Sequence, residues 1–422
     1  MFDDRHSTRF LLVNRESQIV NSGVISFEAD LSQRLAGIRN QGLFRKLRRV
    51  DSPQGTRLRI GGQTLLNFSS NDYLGLANEP RLKEAAIKAV EKFGAGSGAS
   101  RLICGSLAPH HELEETLAHF KGIEAALSFS SGYATAVGTI CALLDKHDII
   151  ILDKLVHACI VDAARLSGAT IRVFAHNDLA DLKAKLKWAE KVQSPKSRVQ
   201  NAACTLIVTE SLFSMDGDAA PLREIVALKE KYGAWLMVDE AHATGLYGKN
   251  RRGLAEELGV GGQIEIQMGT LGKALGASGG YICGSRTLID FLINRARSFI
   301  FSTAPVPAAA AAATAGICFV QSADGQMRRK TLWTKVSELQ SAIANWQSKI
   351  PSAIIPLVIG DETKAVEAAT ALRARGIFVP AIRYPTVARG QARLRITLTA
   401  AHATEEINQL TAALEQIVNR KS

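Results

Sequence analysis

At 422 residues the chain is too long for one minimal core and predicts one large and one smaller domain. Its 46% hydrophobic and 22% charged residues are those of a globular protein, and no apolar run reaches the length of a membrane span. The net charge of +11 is dispersed, which suits either an anionic substrate such as a CoA or carrier-protein thioester or general surface character, and no nucleic-acid-binding signature accompanies it.

Residues 1 to about 22 are mixed and polar, with one apolar patch, Phe10 to Val13. The early acids, without a long apolar core, do not read as a signal peptide, so a cytoplasmic protein is expected. Phe27 to Arg49 has helical periodicity and ends in a basic cluster. Ser52-Pro-Gln-Gly55 and Gly61-Gly62 set off two short strands, Thr56 to Ile60 and Thr64 to Phe68. From about residue 81 helices and strands alternate. Helices are predicted over Pro80–Phe93 and His110–Phe120, and after Ser130-Ser-Gly-Tyr133 to Leu144. Strands are predicted at Ala125–Phe129, Asp148–Leu152 and Thr170–Phe174, with a helix at Cys159–Leu166. Thr205–Glu210 and Trp235–Asp239 are continuous apolar strands of the kind buried on both faces. The charged stretch Lys183 to Ala202 reads as a solvated helix and loop.

Pro305-Val-Pro307 marks a hinge, after which Ala308–Ala315, Thr331–Lys349, Lys364–Arg375 and Glu405–Val418 read as helices and Ala353–Ile359 as a strand. The fold class is α/β, a mostly parallel sheet sandwiched by helices, with a smaller α+β C-terminal domain. Boundaries are placed at 1–70 for an N-terminal extension and segment, 71–305 for the large domain and 306–422 for the small one. The six cysteines form no CxxC pair and read as buried free thiols.

The chemistry centres on Lys273, in the run Met268-Gly-Thr-Leu-Gly-Lys-Ala-Leu-Gly-Ala-Ser-Gly-Gly280. Small and apolar neighbours desolvate the amine and favour its neutral, nucleophilic form, which makes Schiff bases with carbonyls. Upstream lies Asp239-Glu-Ala-His-Ala-Thr-Gly245, at the end of an apolar strand. An aspartate there and a lysine on a small-residue loop suit pyridoxal 5'-phosphate (PLP): the acid pairs with the pyridinium nitrogen and the lysine holds the aldehyde. The plainer reading of Lys273 is a snorkelling surface lysine. His242 is placed for the cofactor's phenolic oxygen. A metal reading of Asp239 and His242 lacks a third ligand at supporting spacing, so no metal is expected.

Ser131-Gly132-Tyr133, between a strand and a helix, can bind phosphate through backbone amides. Thr270 adds a hydroxyl, and Ser302-Thr303 is another candidate pair. Gly94 to Gly98 follows a helix and lacks the order of a dinucleotide loop. His157 either stacks on a planar cofactor or is a helix-terminal or core histidine. Ala392 to Thr399 alternates, putting Arg393, Arg395 and Thr397 on one face. One arginine there can grip a carboxylate in bidentate fashion, or the face is simply an exposed basic one. Asn71, in the polar turn Ser69 to Tyr73, is a substrate donor or a turn residue.

From about Phe27 to the C-terminus the chain resembles the α-oxoamine synthases, fold type I PLP enzymes. The motifs are Asn67-Phe-Ser-Ser-Asn-Asp-Tyr-Leu-Gly-Leu76, Gly96-Ser-Gly-Ala-Ser-Arg101, Asp239 to Gly245 and Thr270-Leu-Gly-Lys273. Phe174-Ala-His-Asn-Asp178, Glu210 to Asp218, Ala381 to Val387 and Arg393 to His402 resemble the branch that condenses L-alanine with pimeloyl-CoA or pimeloyl acyl carrier protein. Glycine C-acetyltransferases usually have Ser-His where this chain has Ala241-His242. 5-Aminolevulinate synthases and serine palmitoyltransferases diverge more in the C-terminal motif. A catalytically silent partner subunit is the rival outside enzymes. Tyr384 stands where the branch often has proline, and Lys183 to Ala202 looks longer and more charged than usual.

The resemblance implies roles at matching positions. Lys273 binds the cofactor's aldehyde and then acts as acid and base, Asp239 binds the pyridine nitrogen, and His157 stacks on the ring. Gly132 and Tyr133 position the cofactor, Ser214 and His242 contact its oxygen, Thr270 its phosphate, and Glu210 supports them. Arg395 and Asn71 bind the amino-acid carboxylate, and Arg45 and Thr386 the acyl substrate. It further implies a homodimer with the active site at the interface, where Ser302 and Thr303 reach the partner's phosphate.

Overall fold

The computed structural model describes residues 25–192, 203–342 and 350–418. They cluster into an N-terminal unit ending at Arg48 and a second beginning at Arg49. The first holds helix α1 (Phe27–Asn40), whose N-cap Ser26 accepts a hydrogen bond from the Ala29 amide at 3.3 Å. The helix ends before Arg49, because the chain turns at Gly42 with φ +67°. The extension before residue 25 lies outside the described residues.

The second unit opens with β1 (Arg57–Ile60) and β2 (Gln63–Asn67), an antiparallel hairpin, followed by α2 (Pro80–Phe93) and α3 (Ala108–Lys121). Next come β3 (Ala125–Phe129), α4 (Gly132–Leu143), β4 (Ile149–Asp153), α5 (Ala158–Ser167), β5 (Thr170–Phe174) and α6 (Leu179–Val192). The chain continues through β6 (Thr205–Glu210), α7 (Leu222–Tyr232), β7 (Trp235–Asp239), α8 (Leu254–Glu257), β8 (Ile266–Thr270) and β9 (Gly280–Gly284). After α9 (Arg286–Arg295), α10 (Arg297–Ile300), α11 (Pro307–Gln321) and α12 (Ala323–Ala342) come β10 (Ile354–Gly360), α13 (Glu362–Ala374), β11 (Ile377–Phe378), β12 (Ala381–Ile382), β13 (Ala392–Thr397) and α14 (Thr404–Val418).

Seven strands form the central sheet in the order β3-β9-β8-β7-β6-β4-β5. All run parallel except β9, which is antiparallel to both neighbours. Both faces are buried. Ile150, Leu152, Leu206, Val208 and Met237 face one core with residues of α4, α5 and α9, while Ile149, Ile151, Ile207, Leu236 and Val238 face the other. Apolar strands sandwiched by helices are what the α/β pattern predicted. A second sheet joins β10, β13 and β12, and β11 adds to the β1–β2 hairpin in parallel. α11, after the Pro305–Pro307 stretch, packs on α2 and α3.

Several local expectations need correction. β8 and β9 flank the lysine run where only a loop was read, because glycine and methionine there hide a strand pattern. α6 is not a merely solvated helix: it starts at Leu179 and buries Leu182, Leu186 and Ala189 against the sheet, while 193–202 lies outside the described residues. α12 starts eight residues before the expected Thr331, and 343–349 also lies outside them. The arginine face of β13 is not exposed; all six residues of the strand are buried. None of the six cysteines is in a disulfide, but Cys104 and Cys318 are exposed, leaving Cys159 and Cys283 as the buried ones.

Candidate active site

Every chemically distinctive residue of the large sheet sits at the carboxyl end of a parallel strand, where α/β sheets bind ligands. Glu210 ends β6, Asp239 ends β7 beside it in register, and Lys273 follows β8. The lysine loop is the connection of the β8–β9 pair. Across it Leu271 N bonds Gly279 O at 3.0 Å, Ala277 N bonds Leu271 O at 2.8 Å, and Gly276 N bonds Lys273 O at 3.0 Å. The Thr270 hydroxyl donates to Gly279 O at 3.0 Å and accepts from Gly272 N at 3.3 Å.

Lys273 Nζ lies 2.6 Å from His242 Nε2, and His242 Nδ1 lies 2.7 Å from the Tyr73 hydroxyl. The amine can only donate when charged, so Nε2 then accepts and the imidazole proton sits on Nδ1, pointing at Tyr73. Tyr73 donates to Asn71 Oδ1 at 3.3 Å, and Arg395 Nη2 donates to the same oxygen at 3.0 Å. A continuous chain thus runs Lys273–His242–Tyr73–Asn71–Arg395. Arg395 is 7% exposed and is further held by the Ser214 carbonyl, which accepts from Nε at 2.5 Å. Among the described residues its Nη1 has no hydrogen-bond partner, leaving an edge for an anionic group.

Desolvation dominates the charges. It brings the Lys273 amine from its ordinary 10.5 down to about 8, with Asp239 and Glu210 pulling the other way. Burial lifts the Asp239 carboxyl, opposed by Lys273, and pushes Glu210 up to about 8, with Asp239 adding to the rise. His242 is held well below the usual histidine range by burial and by the Lys273 and Arg395 cations, so it is neutral. Glu210 Oε1 is buried with no partner, and Asp239 Oδ1 is anchored by the Ala241 amide at 2.9 Å.

His157 is the N-cap of α5 and its ring is exposed. Two donors converge on its Nδ1: the Cys159 amide at 3.3 Å, and the Cys159 thiol at 3.0 Å, which burial pushes up to about 12 and so keeps protonated. At α4, Ser131 caps the helix and the amides of Gly132 and Tyr133 are its first orphan donors. A Cβ on Gly280 would come within 2.8 Å of the Gly132 backbone, so only glycine lets β9 approach this helix start. The Tyr133 side chain is half-exposed, with its hydroxyl on Asp162 at 3.1 Å.

The structure thus brings Lys273, His242, Asp239, Glu210, Asn71, Ser214 and Arg395 into one network of contacts and charges. Ser302 is half-buried with its hydroxyl on Thr303 O at 3.1 Å, and Thr303 bridges to Ser100 within the Gly96–Arg101 motif. Thr386 is exposed in the β12–β13 connection, and Arg45 is exposed in the N-terminal unit. Tyr73 carried no expected role, although it ends the polar turn that was singled out. Nothing in its local pattern announces a partner 169 positions away.

The donor set fits a PLP-like group. The Asp239 carboxyl, the Lys273 amine lowered to about 8 and the His157 imidazole lie within one another's field, and α4 begins with orphan backbone amides.

The chain matches the Aminotransferase class I and II family over residues 63–414 and belongs to it. At finer grain, it is 44% identical over 390 residues to an 8-amino-7-oxononanoate synthase of Thermoanaerobacter pseudethanolicus, covering 92% of this chain and 96% of that one. A variant of serine palmitoyltransferase from S. paucimobilis, solved with a bound PLP–myriocin aldimine, superposes with TM-score 0.84 at 29% identity, covering 93% of this chain and 97% of that one. The 8-amino-7-oxononanoate synthase of Francisella tularensis superposes with TM-score 0.70 at 27% identity, over 85% of this chain and 98% of that one.

Proposed function

We propose that the protein is a PLP-dependent acyltransferase of the α-oxoamine synthase type. It condenses L-alanine with a pimeloyl thioester, carried by CoA or acyl carrier protein, to give 8-amino-7-oxononanoate, free thiol and CO2 for biotin synthesis. The observation that carries this reading is the Lys273–His242–Tyr73–Asn71–Arg395 chain. It joins the buried Lys273 amine through side-chain hydrogen bonds to the buried Arg395 guanidinium, a group able to pair with a carboxylate. The 44% identity to an 8-amino-7-oxononanoate synthase supports the substrate pair.

PLP, when bound, supplies an electrophilic aldehyde and an electron sink. Lys273 holds the aldehyde and, once released by the amino acid, takes the α-proton on Nζ; an amine brought down to about 8 suits both tasks. Asp239 orients and keeps protonated the ring nitrogen. His157 covers the ring, and the Gly132 and Tyr133 amides with Thr270 hold the phosphate. Neutral His242, with Ser214, addresses the cofactor's phenolic oxygen, and Glu210 supports the acidic end. Arg395 and Asn71 grip the amino-acid carboxylate, while Thr386 and Arg45 contact the acyl substrate.

The protein works as a cytoplasmic homodimer in this reading. Six cysteines outside any disulfide suit a reducing compartment. Exposed Leu102 (50%), Ile103 (79%) and Phe301 (70%) adjoin Ser302 and Thr303, giving an apolar surface beside the residues that would reach the partner's phosphate. Among the described residues no helix is long and apolar enough to cross a membrane.

The higher TM-score of the serine palmitoyltransferase supports a second reading, in which serine and a longer acyl chain are used. Thiol release decides between them, measured with alanine, glycine and serine against pimeloyl-, acetyl- and palmitoyl-CoA. Turnover with alanine and pimeloyl-CoA alone is expected. Preference for serine and palmitoyl-CoA would overturn the first reading, and a colourless protein that takes up no PLP would overturn both.

A further inference from the structure

The turn after β6, Phe213 to Asp218, is closed on itself: Phe213 N bonds Asp218 O and Gly217 N bonds Phe213 O, both at 2.9 Å. On one side it carries the arginines of β13. Ser214 O accepts from Arg395 Nε, Met215 O accepts from Arg393 Nη1 at 3.1 Å, and the Asp216 carboxylate meets Arg393 at 2.6 Å. Gly217, at φ +67°, lies so close to β10 that a Cβ would come within 2.4 Å of Ile354 O. The turn is thereby wedged against the second sheet.

Its other side is held by a histidine with an acid at each ring nitrogen. His176 follows β5; its Nδ1 is 2.9 Å from Asp153 Oδ1 and its Nε2 is 2.9 Å from Asp218 Oδ2. Carboxylates offer only lone pairs, so both contacts are hydrogen bonds only when the ring is an imidazolium. Asp153 ends β4 and is fixed by the amides of Leu155 at 2.8 Å and Asn177 at 2.9 Å. The Asn177 amide group adds bonds to Asp218 Oδ2 at 3.1 Å and Ala219 O at 3.2 Å, and Phe213 packs edge-on to the His176 ring. The motifs Phe174–Asp178 and Glu210–Asp218 therefore form one clasp.

We propose that His176 is a positioning residue for the amino-acid carboxylate. Its bridge from Asp153 to Asp218 fixes the Phe213–Asp218 turn, and the Ser214 carbonyl of that turn fixes the Arg395 guanidinium. An arginine side chain loses much rotamer freedom when it binds, and a carbonyl already aligned on Nε removes part of that cost before substrate arrives. Asp218 and His176 touch none of Lys273, Asp239 or His242, so the effect falls on amino-acid binding rather than on proton transfer. The inference rests on the reading of Arg395 as the carboxylate-binding residue.

The test uses holoenzyme with its preferred amino acid and thioester, and the variants His176→Asn, Asp218→Asn, Arg395→Ala and His176→Asn with Arg395→Ala. His176→Asn should raise KM for the amino acid about tenfold, the scale of one charged hydrogen bond lost. Asp218→Asn, on the more exposed partner, should shift it in the same direction. KM for the thioester and the visible spectrum of bound PLP should stay put. In the double variant the His176 change should add nothing to Arg395→Ala. Equal rises in both KM values, or a fall in thermal stability with unchanged KM, would overturn the proposal. If His176→Asn does not fold, Asp218→Asn alone decides by the same readout. Should Arg395→Ala leave the amino-acid KM unchanged, the reading of Arg395 fails. Should Arg395→Ala raise it while the clasp variants do not, the clasp inference alone fails.

Discussion

His176 and His242 are the same side chain in opposite settings. His176 has an acid at each ring nitrogen, and these contacts outweigh desolvation and push it up to about 10. His242 is buried, meets a lysine at one nitrogen and a phenol at the other, and stays neutral. The difference teaches that partners, rather than depth alone, decide what a histidine does here. The charged one fastens two loops together, and the neutral one passes polarity between an amine and a hydroxyl.

The largest effect should come from removing the cation beside the neutral histidine. Lys273→Ala should lower kcat at least about 10³-fold, because both the covalent anchor and the base are lost. Thiol release without added amines measures this, and appreciable residual turnover would break the assignment. Asp239→Asn should cost about 10²-fold in kcat with the fold intact by circular dichroism. Near-normal turnover in that variant would remove the acid from the cofactor's ring nitrogen.

His402 sharpens the comparison with a third setting. It is 1% exposed and stacked on Phe68 at 4.3 Å; its Nδ1 accepts from the Thr399 amide and its Nε2 bonds Asn67 O. Burial brings it down to about 4. The unfolded chain therefore binds the extra proton between pH 6.5 and 4, and stability falls as pH falls through that window, by on the order of 2–3 kcal/mol. Urea unfolding at pH 7, 5.5 and 4 should show this slope, and His402→Gln should flatten it. The smallest effect is the mirror image. His176 has its pKa raised, so its contribution is full below pH 6.5 and is lost as pH rises toward 10. Solvent around Asp218 reduces this to about 1 kcal/mol, read by unfolding at pH 7 and 9.5 in wild type and in His176→Asn.

The sequence made the central strands and the Lys273–Asp239–His242 set legible because each is local. β6 and β7 are continuous, mainly apolar runs, and the acid closes its own strand. β8 and β9 were not legible, since their glycines answer to tertiary crowding: Tyr281 fills the space a Cβ at Gly269 would need. The alternating pattern offered Arg393 and Arg395 alike and the family resemblance chose Arg395; the Phe213–Asp218 turn, out of sight in the sequence, gives Arg393 an acid and Arg395 a carbonyl. Tyr73 and His176 were given no role because neither has its partners in its own segment: His242 is 169 positions from Tyr73, and Asp153 and Asp218 flank His176 at 23 and 42.

The β8–β9 connection makes the lysine a fixed post. Its loop is laced across by backbone bonds at both ends and braced by the Thr270 hydroxyl, and the strand that closes it lies against the first turn of α4. Such a stem has no slack with which to swing. The stretch between β12 and β13, mostly exposed from Tyr384 to Gln391, is the opposite case. Substitutions over residues 384–391 should accordingly be tolerated better than those over 266–284.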